Sequence, residues 1–167
     1  YLHEFRARLK SVLIWSASIA ALTLFFFSIF PGFSEQAALV NQVMDKFPPA
    51  MQEAFGLDRM DLASSLGYYS FLFMFVQLCL AIQAGNYGFG LVSVEETELT
   101  ADFLLSKPVS RVQVMNSKLL AALTSLTITN LVIWATSFVC FALFSGDSGY
   151  DVGVLLLLLA SIVIFQL

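Results

Sequence analysis

The chain has 167 residues, of which 59% are hydrophobic and only 12% charged, with 17 phenylalanines and a formal net charge of −4. Soluble domains carry about 25% charged residues, and a small domain leaves too much surface exposed to hide this much apolar area. A water-soluble fold is therefore excluded. Nucleic-acid binding has no basic patch with interleaved aromatics to rest on, and the composition points to an integral membrane protein.

Residues 1–10 read as a short amphipathic helix. Leu2, Phe5 and Leu9 fall on one stripe with Arg6, Arg8 and Lys10 around them, a pattern suited to the headgroup layer. The plainer reading is a span with a basic flank. Residues 12–30 form the first span, ended by Pro31-Gly32. No A-x-A cleavage site follows, which argues against a cleaved signal peptide. Residues 34–65 form a polar loop with two short helices. Ser34 caps the first, over 35–47; Pro48-Pro49 breaks it; and Gly56 closes the second, over 50–55. The second span covers 66–89 and the third 119–144. The charge-free runs that hold them, 62–94 and 119–146, both exceed the roughly 20 residues a helix needs to cross a bilayer. A turn at 145–149 leads to a fourth span from 152, which is still apolar at Leu167. A chain that opens on Tyr1 and stops inside an apolar run is expected to be part of a longer polypeptide. The expected fold is all-α, a polytopic transmembrane helical bundle.

Cation placement orients it. With the N-terminus in the cytoplasm, Arg6, Arg8, Lys10, Lys107, Arg111 and Lys118 are cytoplasmic and only Lys46 and Arg59 lie outside. The 34–65 loop is then extracellular and the 93–118 island cytoplasmic, as expected of a multi-pass plasma-membrane protein.

That island, SVEETELTADFLLSKPVSRVQVMNSK, carries most of the information. Ser93 and Glu96 make a capping box, and Glu95, Glu96 and Glu98 sit where the helix dipole favours negative charge. Leu99 and Phe103 share a face. Pro108 has no N–H and restricts Lys107, so the helix stops near Ser106. Ser110 and Gln113 form a second capping box that opens the helix of the third span. Helix, break, helix is a shape for docking into a groove on another protein, or equally for a connector lying on the membrane.

The stretch from Glu95 through Ala121 resembles bacterial ABC transporter permeases of the type 2 (exporter) family. The matching residues are Glu95, Glu96, Thr100, Phe103, Leu104, Leu105, Ser106, Pro108, Val109, Ser110, Arg111, Lys118, Leu119, Leu120 and Ala121. The family's usual Gly after the acidic cluster is absent. Weaker likeness extends upstream through Phe47-Pro48, Ala54-Phe55-Gly56 and Gly67-Tyr68-Tyr69. The resemblance implies six spans, of which four are visible, in a homo- or heterodimer of permease protomers. It implies an interfacial helix over 1–10 and a cytoplasmic coupling region over 93–110. Glu95, Glu96, Glu98, Leu99, Asp102, Phe103, Lys107, Pro108 and Arg111 would then contact an ABC ATPase subunit. The chain itself has no G-x-x-x-x-G-K-[ST] phosphate loop. No cofactor is expected on it, ATP and Mg belonging to the partner subunit, and it is expected to be a transport subunit, not an enzyme.

Polar residues inside spans are the candidates for a substrate path: Gln77, Gln83 and Asn86 in the second span, Thr127 and Asn130 in the third. Gln83 and Asn86 share a helical face by spacing, as do Thr127 and Asn130; interhelical hydrogen bonding is the plainer account of both pairs. The string Gly146-Asp-Ser-Gly149 is read as a glycine-rich turn, His3 as interfacial, and Cys79 and Cys140 as small apolar side chains without a disulfide. The alternative function is a membrane subunit that anchors or regulates an ABC ATPase without moving cargo. Mutation of the polar span residues would then leave export unchanged.

Overall fold

With no water in the bilayer core, each spanning segment must satisfy its backbone within itself, and helices do so. A computed structural model of the chain describes residues 2–44, 46–56, 61–62, 64–91, 111–145 and 150–166. Among them are seven helices and no strand: α1 (Leu2–Phe27), α2 (Phe30–Glu35), α3 (Ala37–Met44), α4 (Pro49–Phe55), α5 (Ser65–Phe89), α6 (Arg111–Phe144) and α7 (Val152–Gln166). Segments Arg8–Gly32, Ser65–Phe89 and Val112–Phe144 are long and apolar enough to cross a membrane, and α7 is a shorter apolar helix.

The ends of the elements differ from expectation in three places. Residues 2–10 continue into the first span as one helix, so the amphipathic stripe is the opening of α1 and not a separate element. Pro31 does not end α1. It sits in the first turn of α2, where its missing N–H costs nothing, while α1 closes just before it with a tightened bond from Ile29 N–H to the Phe26 carbonyl. Ser34 donates its hydroxyl to the Pro31 carbonyl and does not cap the next helix, which starts at Ala37. Pro49 opens α4, and Gly56 closes it in the left-handed conformation (φ 65°), as the sequence implies.

Cross-helix bonds fix the topology. Ser16 meets Thr129 and Phe27 meets Phe141, so α1 and α6 run parallel. Tyr69 meets Ser137 and Gln83 meets Thr129, so α5 runs against them. Tyr150 meets Phe141 and Gln166 meets Asn130, so α7 also runs against α6. One end of the bundle thus holds the start of α1, the end of α5 and the start of α6. The 28–64 loop and the α6–α7 turn lie at the other.

The tightest seam joins α1 and α6, which pack along each other more extensively than any other pair. Ala121, Ser125, Thr129, Ile133, Ser137 and Phe141 recur every four residues on α6, all without accessible surface. They face Val12, Ser16, Ile19, Thr23 and Phe27 of α1, likewise buried. Small residues let the backbones approach, and the buried hydroxyls of Thr23, Ser125 and Ser137 turn back onto carbonyls of their own helices. At the loop end the seam widens into an aromatic cluster. Phe141 lies 5.1 Å from both Phe27 and Tyr69 and 4.5 Å from Tyr150, ring centre to ring centre. Tyr68 donates its hydroxyl to the Phe26 carbonyl (2.9 Å), which also accepts the Ile29 N–H. Leu13, Ile14, Leu78, Ile82, Leu131 and Leu157 face outward, as lipid-facing residues do.

The chain enters α5 through a close approach. Ser64 caps the helix by accepting the Gly67 N–H (3.0 Å), and its own hydroxyl donates to the Asp61 carbonyl (2.7 Å). A Cβ at Gly67 would collide with that carbonyl oxygen. Gly67→Ala is therefore expected to cost about 1–3 kcal/mol, the usual range for overpacking, and to lower the thermal midpoint of the detergent-solubilised protein. Gly88→Ala on the same helix, where a Cβ meets nothing within 4 Å, should leave the midpoint in place.

Candidate functional site

Of the residues assigned to ATPase contact, Glu95, Glu96, Glu98, Leu99, Asp102, Phe103, Lys107 and Pro108 lie outside the described residues. Arg111 is the first residue of α6. The structure does describe both flanks of this segment. Helix α5 ends at Phe89 and is capped by Gly90, whose N–H returns to the Asn86 carbonyl, and Leu91 follows. On the other flank Lys118, buried, donates from Nζ to the Leu91 carbonyl at 2.9 Å. The end of α5 is thereby tied to α6 two turns after its start.

That bond also gives the flanks a height difference. Arg111 lies seven residues before Lys118, about 10 Å along a helix at 1.5 Å per residue, so the first two turns of α6 overshoot the end of α5. Val112 and Met115 on those turns are exposed. The whole of α6 is 34 residues, about 51 Å, against about 30 Å of hydrocarbon and 40–45 Å with the headgroups.

The path candidates fall into three kinds of surroundings. Gln83 is fully buried and ties helices together: its Nε2 donates to Thr129 Oγ1 (3.0 Å) on α6 and to Tyr87 Oη (3.3 Å) one turn along α5. Thr129 also accepts from Ser16 Oγ (3.2 Å) on α1, and Tyr87 donates to Ser11 Oγ (3.3 Å) on α1. The Arg8 guanidinium stands 5.4 Å from the Tyr87 ring centre, within cation–π range. Gln83 Oε1 is buried without a hydrogen-bond partner. Gln77 makes a second tie, from Nε2 to Ser161 Oγ on α7 (3.2 Å).

Asn86 is exposed, so the structure does not bring it together with Gln83. Thr127 and Asn130 do share a face. Both line a pocket of about 190 Å³ between α6 and α7, with Leu131, Trp134, Val163 and Gln166. Thr127 is exposed and donates to the Leu123 carbonyl of its own helix, while Asn130 Nδ2 donates to Gln166 Oε1 at 2.7 Å. Buried beside that bond, Asn130 Oδ1, Trp134 Nε1 and Gln166 Nε2 make no hydrogen bond.

Spacing within one helix missed the cross-helix pairing of Gln83, because its partner Thr129, which also accepts from Ser16 of α1, comes from another helix. The four-residue repeat Ala121, Ser125, Thr129 was the signal that could have found it. Among the described residues no three His, Cys, Asp or Glu side chains gather as metal ligands would.

A family model described as ABC-2 family transporter protein matches residues 1–167, the whole chain. No curated protein and no solved structure matches.

As a fastener, Gln83 replaced by an apolar side chain of similar size loses two hydrogen bonds, one of them between helices, together with an orphaned carbonyl oxygen. Gln83→Leu is expected to change stability by no more than about 1 kcal/mol, in line with interhelical hydrogen bonds averaging about 0.6 kcal/mol, and to leave transport near wild type. Thermal melts and a transport assay on the same preparation check this. A collapse of transport at unchanged stability would assign Gln83 to the path.

Proposed function

We propose that this chain, which belongs to the ABC-2 family of transporter proteins, exports its cargo by alternating access driven by ATP hydrolysis on a separate subunit. Membership makes it a multi-pass membrane permease component of an ABC transporter, partnered by an ABC ATPase. The proposal adds direction and coupling. The N-terminus is cytoplasmic, residues 93–110 form the coupling region on the ATPase, and two protomers pair to enclose the path.

The observation that supports this reading is the tie between the two helices that flank that region. Lys118 binds the Leu91 carbonyl, so a push delivered between them reaches α5 and α6 together. Helix α6 has neither Pro nor Gly over its 34 residues and runs to Phe141, in the aromatic cluster that joins α1, α5 and α7 at the far end. A displacement at the overhanging turns is thus carried across the membrane by one rigid element. The far aromatic contacts are where it changes the packing of the spans. ATP binding to the ATPase pair supplies the bias, and the bundle is the two-state element being biased. Thr127 and Asn130, which face the pocket between α6 and α7, border the cargo path in this scheme. Gln83 and Gln77 hold the frame.

The test separates coupling from insertion. Glu95→Lys with Glu96→Lys, and separately Pro108→Ala, should reduce cargo-stimulated ATPase activity and efflux about tenfold or more, a loss of roughly 1.4 kcal/mol in the coupling step, with membrane insertion unchanged. Normal efflux in both variants would remove residues 93–110 from the coupling role.

A further inference from the structure

A cavity of about 640 Å³ opens at the loop end of the bundle, between the ends of the spans and the short helices. Leu22 and Phe26 of α1, Leu72 and Phe75 of α5, and Met44 and Met51 of the loop helices contribute to its walls. Among its lining residues only Tyr68 carries a polar side-chain group, and that hydroxyl is engaged by the Phe26 carbonyl. The size falls within the roughly 300–1,000 Å³ of small-molecule sites, and nothing on the described walls offers a hydrogen bond. Such walls suit a hydrocarbon chain.

Two further observations say which one. Helix α5 begins at Ser65, and Phe75 lies ten residues further in, about 15 Å down the helix. That is half of a hydrocarbon core of about 30 Å, the depth of one leaflet. In the adjoining loop, Lys46 is exposed in the chain between two lining residues, Met44 and Phe47, and pairs with no acid among the described residues. An apolar cavity that reaches about one leaflet down α5, with an exposed cation in the adjoining loop, matches a chain joined to an anionic head. We infer that the cavity holds one acyl chain of a bilayer phospholipid, drawn from the leaflet on the α3–α4 side, with its phosphate against Lys46. The inference does not rest on the direction or coupling of transport.

The transporter complex, reconstituted in vesicles of palmitoyl-oleoyl phosphatidylethanolamine and phosphatidylglycerol, is re-extracted, washed in detergent and weighed by native mass spectrometry. The wild-type chain is expected to retain one phospholipid. Leu72→Trp, which fills the cavity, should abolish retention, and Leu78→Trp, on the lipid-facing side of the same helix, should preserve it. Lys46→Glu alters only the exposed loop and so folds normally. It should lower retention about threefold, the scale of one exposed charge pair. Equal retention in wild type and Lys46→Glu overturns the proposal, as does Leu72→Trp that folds and still carries its lipid. A detergent molecule or a second copy of the chain held in place of phospholipid overturns it as well.

Discussion

Helices in lipid gain little by hiding apolar surface from one another, since the surrounding tails are equally apolar. What holds α1 to α6 must therefore be close packing and internal hydrogen bonds. The four-residue repeat of Ala121, Ser125, Thr129 and Ser137 meets that constraint by leaving room for the α1 backbone. The rest of the bundle is arranged around this contact. Helix α5 attaches through Gln83 to Thr129 and through Tyr87 to Ser11, both at the seam. Helix α7 attaches through Ser161 and Gln166, further out. Buried hydroxyls are affordable in such a place only because each folds back onto its own helix or reaches a neighbour.

The two ends of the bundle are built from different chemistry. The end that holds Leu91 and Lys118 is polar and cationic, with Arg8 over Tyr87 and Lys118 on a backbone carbonyl. The loop end is a lattice of rings, Phe27, Tyr69, Phe141 and Tyr150, whose contacts are short-ranged and shape-dependent. Hydrogen bonds from Tyr68 to the Phe26 carbonyl and between Tyr69 and Ser137 fix those two tyrosine rings in place.

Much of the fold was legible from the residues. Charge-free runs located the spans because ionised groups in hydrocarbon are costly, and Gly56 and Pro49 marked the ends of α4 because backbone conformation there depends on residue type alone. Pro31 and Ser34 misled for the complementary reason: each has two uses at a helix boundary, and tertiary position decides between them. The polar span residues were visible as a class but not as a network. Spacing pairs residues on one helix, whereas Gln83 Nε2 reaches Thr129 across 46 positions of sequence. The ATPase-contact residues before Arg111 rest on family likeness and local capping signals, and none of them has a described position.

Lys118 has a consequence for how the protein sits in its bilayer. Its ammonium is buried at the level where α5 ends, and an ammonium is a poor guest in hydrocarbon. The ring of Tyr87 and the guanidinium of Arg8 lie near the same end, the aromatic and basic pairing that favours the headgroup zone. Together they act as a draught mark. Helix α6 is longer than any ordinary bilayer is thick, and without such a mark it could float at several depths; with it, a thicker or thinner membrane is accommodated at the aromatic end while the other keeps its level.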